Sequence, residues 1–423
     1  MALVDEIKKN TPTCFKKVYI KRRLGEGSGN YEADWFEITD DVLKTSLVTR
    51  NIDNLQLNNF TQGDFSLTGL NDKFKFASEL VSSSYFYGYL ARHNTKVKIE
   101  SGYIDDDDVE YATDLGSGLI DEKNTNIQSG GIAFLSCISP GVLFQDYNAD
   151  AVNTGTVGSW YEDKTVAFMV DKIYNLTQNG VGVFTKILEG SSISPGNNVT
   201  ADNYDFTDMT CDEALTELAE ISNSAWWVDA DFVLQFQPKT PTVASQFTLS
   251  GAGSNPADVN IYDASDYNRG LDNLRTRITW LGTEPLVKAE ESWTPGDESS
   301  SNRFGIIPLN ISNNFVTTTA TQQAIVDALL LALKEVKEEI TLKVKFLPQI
   351  KLLDRITVNY FGDVASSAAS YYNYANWNQA SGTFQAYWST RRGGIRIKNQ
   401  DMMVIKIEHD VENFKTTLVL RTI

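Results

Sequence analysis

Histidine is nearly absent. Only His93 and His409 occur among 423 residues, and no two histidines fall at helical spacing, which excludes a His-based zinc motif. Each of the two sits beside a strand or turn and reads as structural rather than as a base or ligand. Cysteine is sparse as well. Cys14, Cys137 and Cys211 are odd in number and far apart, so there is neither a disulfide framework nor a zinc-type pair, and buried reduced thiols are expected. No apolar run approaches the roughly 18 residues of a membrane span. The polar start of the chain, Met1 to Thr13, lacks the apolar core of a secretory leader, so synthesis and folding in the cytoplasm are expected.

Positive charge is also in short supply. Lys and Arg total 37 against 55 Asp and Glu, a net charge of −18. Binding nucleic acid requires a basic footprint to neutralise phosphates, and this balance has the opposite sign. The small basic runs at Lys16, Lys17 and Lys21 to Arg23 read as solvated strand faces. Nucleophile-elbow and phosphate-loop patterns are missing. The glycines of Gly25 to Gly29 lack the lysine that completes a phosphate cradle and read as a turn. Asp105 to Asp108 offers hard ligands suited to calcium, without the alternating spacing and central glycine of a calcium loop. It reads as a solvated acidic loop. Scattered acidic pairs are what glycoside hydrolysis needs, but they are commonplace in so acidic a chain. No residue is assigned to catalysis, to a cofactor or to a metal.

What remains is a folded protein: 42% of residues are hydrophobic and 22% charged, and the length suits two or three domains. Residues 13–145 read as short strands, at Val18 to Leu24, Trp35 to Ile38, Leu55 to Asn58, Asp64 to Thr68, Val97 to Glu100 and Gly118 to Asp121. Their period-two alternation suggests a small antiparallel barrel or sandwich.

The pattern changes over 150–240, which reads as a small α+β domain. Thr165 to Gln178 places Val166, Met169, Val170, Ile173 and Leu176 at helical spacing, with Gly180 and Gly182 as stops. A second helix is predicted over Cys211 to Asn223, capped by Thr210 or Asp208. Ala225 to Phe236 follows as a hairpin turning at Asp229 to Asp231. Pro238 and Pro241 mark a linker.

Residues 245–423 read as strands around one long helix. Strands are predicted at Leu274 to Leu281, Ile340 to Phe346, Arg355 to Tyr360, Met402 to Glu408 and Lys415 to Arg421. Thr294 to Arg303 reads as an exposed loop. The helix, about 320–339, carries an apolar stripe from Ile325 to Val336. An insert at about 364–399 is rich in aromatics, and loops longer than about 15 residues are often functional. Tyr371, Tyr372, Tyr374, Trp377, Tyr387 and Trp388 are therefore the candidate partner-contact residues. The plainer reading is an extra hairpin whose rings pack on their own domain.

The order of these features resembles the tail-hub proteins of phages and contractile injection machines. In the first part the resemblance rests on Ile38 to Leu43, Leu47 to Arg50, Phe60 to Thr68, Leu70 to Asp72, Val97 to Gly102 and Gly118 to Asp121. In the middle it rests on Ala214 to Ser222 and Trp226 to Phe236. At the end it rests on Leu353 to Val358, Met403 to Asp410 and Thr416 to Leu420. The resemblance covers most of the chain by order of features, and the aromatic insert departs from it. It implies a mainly β fold with α+β parts, in which two tail-tube-like β-barrel domains are linked by a small α+β domain.

It also implies a non-enzymatic hub: a homotrimer whose six barrels form a ring, joining a six-fold tail tube to a three-fold tip or spike and continuing the DNA channel. The partners implied are further copies of the chain, the tail tube or distal tail protein, a tip, spike or fibre protein, and the tape measure protein. The location implied is the virion, and the acidic excess is expected to line part of the lumen. Two rival readings stand beside it. One is a receptor- or carbohydrate-binding tip protein using the aromatic insert. The other is a peptidoglycan-cutting tail enzyme, for which the segment after the last strand, ending at Ile423, is expected to leave no room.

Overall fold

The computed structural model of the chain describes residues 12–24, 31–52, 65–71, 73–77, 81–87, 95–128, 131–149, 161–178, 181–239, 244–245, 247–251, 259–270, 274–282, 286–292, 299, 301, 304–361, 373–379, 382–387 and 396–423. The expected strand at 55–58, the turn at 25–29, His93 and most of the loop at 294–303 lie outside them.

Eight strands come first: β1 (Thr13–Lys21), β2 (Phe36–Glu37), β3 (Val42–Thr45), β4 (Val48–Asn51), β5 (Phe65–Leu70), β6 (Lys96–Ile104), β7 (Glu110–Gln128) and β8 (Ile132–Ile138). Seven of them form one sheet in the order β2-β1-β6-β7-β8-β5-β3. Laid flat, its two edges would stand about 29 Å apart at the usual ~4.8 Å strand spacing. Yet β2 ends at Glu37 and β3 begins at Val42, and so short a connection reaches at most about 18 Å. The sheet must therefore curl until its edges approach. The 3₁₀ turn Thr39–Asp41 closes the gap covalently, and the Ile38 N–H donates to Val18 O at 2.8 Å. The four consecutive aspartates form the β6–β7 turn. The Asp105 carboxylate accepts from the Asp107 and Val109 N–H groups at 2.9 Å each, while Asp106 to Asp108 face solvent, as a solvated acidic loop should.

The middle region contains β9 (Tyr161–Thr165), α1 (Val166–Tyr174), β10 (Thr177–Gln178), β11 (Val181–Gly182), β12 (Gly190–Ile193), β13 (Thr200–Tyr204), α2 (Cys211–Ile221), β14 (Ser224–Val228) and β15 (Val233–Pro238). Thr165 caps α1, its hydroxyl accepting from the Phe168 N–H at 3.3 Å. Thr210, rather than Asp208, takes the N-cap of α2, and its N–H donates to the Glu213 carboxylate at 2.9 Å. The helix α1 stops at Tyr174, before the glycines expected to end it: the Asn175 N–H makes the last helical bond, to Asp171 O, and the Asn175 side-chain amide caps the same carbonyl at 2.9 Å.

The last part runs β16 (Phe247–Ser250), β17 (Val259–Gly270), β18 (Arg277–Trp280), β19 (Lys288–Glu290), β20 (Pro308–Ile311), α3 (Thr319–Leu333), β21 (Lys337–Lys345), β22 (Arg355–Phe361), β23 (Asn373–Gln379), β24 (Gly382–Tyr387), β25 (Arg396–Asp410) and β26 (Lys415–Thr422). Strands β22, β16, β17, β21, β26 and β25 follow one another around a sheet, and β25 pairs back onto β22. That ring is closed, so it has no free edge.

Helix α3 is shorter than the spacing predicts. It ends at Leu333, and the expected residues 337–339 are already strand. Val336 and Ile340 suit both a helical stripe and a strand, and pairing decides between them: Lys337 stands opposite Gly270 and Glu339 opposite Arg421.

Among the described residues two cores result, and they interleave along the chain. One is shared by the curled first sheet and the closed second ring, from Val18 to Leu420. The other gathers Val166, Leu215, Trp226 and Phe236 of the middle region together with Ile278, Trp280, Ile325 and Leu329. Helix α3 and β18 to β20, which fall within the 245–423 segment, pack on the middle region. The apolar stripe of α3 found its partner there because α3 and its neighbouring three-stranded sheet, β19-β18-β20, leave and re-enter the ring between β17 and β21.

Cys137 and Cys211 are buried free thiols, and Cys14 is half-buried. Burial pushes the Cys14 thiol up to about 11, against an opposing pull from Lys345. Burial, with Asp212 nearby, pushes Cys211 to about 12. Such thiols are poor nucleophiles.

Candidate functional site: the junction of the two β-units

Successive side chains of a strand point to opposite faces, and β14 uses both. All five residues from Ser224 to Val228 are buried. Trp226 and Val228 enter the middle core, whereas Ala225 and Trp227 enter the core shared by the two β-units. Trp226 packs edge-on against Phe144 at 5.5 Å, and Phe144 stacks on Phe184 at 4.0 Å. The Trp226 indole N–H reaches Thr216 Oγ1 at 3.2 Å. One strand thus ties two cores together.

The hairpin β14–β15 turns where the sequence predicted. Asp229 Oδ1 accepts from the Asp231 and Val233 N–H groups at 2.9 and 3.0 Å, and Oδ2 accepts from Gln235 Nε2 at 2.8 Å. That Asx-type turn carries Phe232 at φ +60 and aims its ring at the first sheet. Trp35 lies 6.0 Å away. Lys96 Nζ sits 4.9 Å from the Phe232 ring and 4.6 Å from that of Tyr31, and donates to Glu189 at 2.5 Å. The Ser117 hydroxyl of β7 donates to Asp229 O at 2.9 Å.

A second tie comes from β4. Only Ser46 and Leu47 separate β3 in the first sheet from β4, which pairs with β25 of the closed ring, Val48 opposite His409 and Asn51 opposite Lys406. The guanidinium of Arg50 donates to Leu115 O of β7 at 2.6 Å. Gly116 keeps this crossing close, because a Cβ at that position would lie 2.7 Å from Val48 Cγ1 and something would have to shift.

Between these contacts lies a cleft of about 270 Å³, walled by β7, the hairpin tip, β4, β25 and the Pro348 to Asp354 connection. Lys351 Nζ stands 3.8 Å from Asp231 Oδ2. Burial pushes the Asp114 carboxyl up to about 7 against the pull of Lys98, and the nearby Asp231 and Glu100 raise it further. Burial pushes Asp354 up to about 6 against the Lys351 N–H. Buried His409 is held neutral, its pKa lowered to about 3 by burial and by Arg50, with its Nδ1 3.1 Å from Thr416 Oγ1. No group of three or more metal-ligating side chains occurs among the described residues.

The residues singled out in sequence fall elsewhere. Tyr374, Trp377 and Tyr387 lie on the hairpin β23–β24, where Trp377 is the register partner of Phe384 and Asn373 that of Tyr387. Among the described residues this hairpin pairs with no other strand. Tyr371, Tyr372 and Trp388 lie outside the described residues. The junction residues Arg50, Lys96, Asp114 and Glu189 were not legible in the sequence, since they come from four separated segments. Only the turn at Asp229 to Asp231 signalled its place, and only as a turn.

No protein-family model and no curated protein matches this sequence. Solved structures do. A tail protein from Neisseria meningitidis MC58 is similar over 97% of this chain and 96% of its own, with 12% identity and a TM-score of 0.54. A prophage tail protein from Listeria monocytogenes EGD-e is similar over 96% and 94%, with 11% identity and a TM-score of 0.52. The 43 kDa tail protein of prophage MuSo2 from Shewanella oneidensis is similar over 96% and 98%, with 10% identity and a TM-score of 0.51. At these identities the likeness is one of fold, and across almost its whole length this chain has the fold of phage tail proteins.

Proposed function

We propose that this protein is a non-enzymatic structural hub of a phage tail tip or baseplate. The observation that carries the reading is the pairing of a curled sheet and a closed ring of strands in one chain, locked together by β4 and β14. Such a chain presents two barrel-like units in a set relation, so three copies around an axis would offer six similar surfaces. That suits the joining of a six-fold tube to a three-fold tip or spike, with the DNA channel continuing through the ring. Its partners would be its own copies, the tail tube or distal tail protein, a tip, spike or fibre protein, and the tape measure protein. The acidic excess would line part of the lumen and discourage DNA from sticking.

Light scattering on the purified protein, followed by imaging with purified tail tubes, tests this. A mass about three times that of the monomer, or rings seated on tube ends, is expected. A monomer that also leaves tube ends bare would overturn the hub reading.

A second reading is favoured by the separate hairpin β23–β24: receptor or carbohydrate binding at the tip through Trp377, Trp388 and neighbouring tyrosines. Substituting Trp377 and Trp388 by Ala would then abolish adsorption to host cells while leaving assembly intact. Unchanged adsorption would leave the insert a structural hairpin or a contact to another tail protein.

A further inference from the structure

The first sheet is curled, but strand pairing does not close it. Tyr19 and Ile20 of β1 pair with β2. From Thr13 to Val18, among the described residues, β1 pairs with β6 alone, and β3 pairs with β5 alone. A seam is therefore left between these two strands. Part of it is spanned by the 3₁₀ turn Thr39–Asp41, where Thr39 Oγ1 accepts from the Val18 N–H at 3.0 Å. Nearer the start of β1, the seam is crossed by a residue of the second ring. Glu412, in the turn between β25 and β26, lays one carboxylate oxygen against both strands. Its Oε1 accepts from Lys16 Nζ of β1 at 2.6 Å, and from the Thr45 N–H and hydroxyl of β3 at 2.8 Å each.

The turn that carries Glu412 is built to hold it there. The Asp410 carboxylate accepts from the Glu412 and Asn413 N–H groups at 3.2 and 3.1 Å and from Asn413 Nδ2 at 2.8 Å. Phe414 follows at φ +49, and its ring packs edge-on against Phe346 at 5.5 Å. Phe346 in turn meets Tyr103 of β6 at 6.0 Å, and its carbonyl accepts from the Tyr103 hydroxyl. An ion pair in open solvent holds little, but this one is sheltered, with Lys16 15% and Glu412 33% exposed. Thr45 is buried, so its N–H and hydroxyl would lose their partner inside the protein if Glu412 withdrew, which is costly.

We propose that Glu412 is a clasp: the β25–β26 turn of the second ring closes the β1–β3 seam of the first sheet, and the seam opens when that turn lifts. The first unit then depends on the second for its closure, whereas the second ring closes by its own strand pairing. Movement of one turn is thereby converted into opening of the neighbouring unit along a single line, with the rest of the first sheet left paired. The device is independent of the hub reading, since it is intrinsic to one chain.

Amide hydrogen exchange at single-residue resolution on the intact protein tests the clasp. Two neighbouring amides separate seam opening from general loosening. The Thr45 N–H faces the seam and donates to Glu412, whereas the Ser46 N–H donates within the sheet, to Ser66 O at 2.9 Å. Glu412→Ala should lower protection at Thr45 by about ten-fold, the worth of a hydrogen bond to a charged group, and leave Ser46 nearly unchanged. Lys16→Met should lower Thr45 protection less, and should add nothing further once Glu412 is alanine. Glu412→Gln keeps the oxygen and the size but not the charge; it should give a smaller fall at Thr45, and it serves if the alanine variant folds poorly. Unchanged protection at Thr45, an equal fall at Thr45 and Ser46, or a Lys16→Met effect that is the same with and without Glu412 would overturn the clasp.

Discussion

Lys96 Nζ donates to Glu189 Oε1 at 2.5 Å, across the boundary between the first sheet and the middle region. The lysine is almost wholly buried, at 2% exposure, whereas the glutamate keeps one side to solvent. Burial depresses the Lys96 pKa in opposition to the bond. Glu189 is held below the usual carboxylate range, burial raising it less than Lys96 and Lys21 together lower it.

The asymmetry of that pair predicts an asymmetry in substitution. Glu189→Ala strands a buried ammonium, and Lys96→Met removes the charge while keeping the stem between Tyr31 and Phe232. Losing one partner of a fully buried pair costs ~3–5 kcal/mol, and the exposed side of Glu189 should reduce this to about 2. Lys96→Met should cost less than Glu189→Ala in urea denaturation. The reverse order would mean that the charge contributes more than the packing.

Trp226 should be the costliest truncation in the middle core. It is fully buried, touches Phe144 and anchors the strand shared by both cores. Trp226→Ala should destabilise by ~3–5 kcal/mol, read as a lowered denaturation midpoint. Trp226→Phe, which keeps most of the ring volume, should cost less than half of that.

Gly116→Ala probes the crossing of β7 over β4. The new methyl would stand 2.7 Å from Val48 Cγ1, so either the side chain turns or the strands part. A loss of ~1–3 kcal/mol is expected, and Val48→Ala added to it should restore part of the loss. If the second substitution only adds its own penalty, the crowding lies elsewhere.

His409 should weaken the fold in acid. Its pKa falls from 6.5 to about 3 on folding, through burial and Arg50, so the unfolded chain binds the proton that the folded chain refuses. The stability contributed by the neutral ring is present above pH 6.5 and is lost as pH falls from there towards 3. His409→Gln should therefore remove about one proton from the slope of stability against pH between 4 and 6. An unchanged difference between variant and wild type across that window would show that the ring is charged when folded.

Much of the fold was legible because it is local. Period-two alternation marked β5, β6, β21, β22 and β26, and threonine at 165 and 210 marked the starts of α1 and α2. Trp226 to Phe236 read as a hairpin because Asp229 can bond its own backbone. The aromatic insert read as a hairpin or a binding loop, and its backbone forms one.

By itself, the sequence determined the presence of the most regular strands and of the three helices, the absence of metal-type and thiol motifs, and the acidic balance, since these depend on neighbours a few positions apart. Only the tertiary structure decided that α3 ends at Leu333, that β4 crosses to the second ring, and that Arg50, Asp114, Asp231 and His409 share one cleft. Those outcomes depend on which edges pair across hundreds of residues. Hydrophobic spacing is the same whether a face meets one sheet or another, so it cannot name the partner.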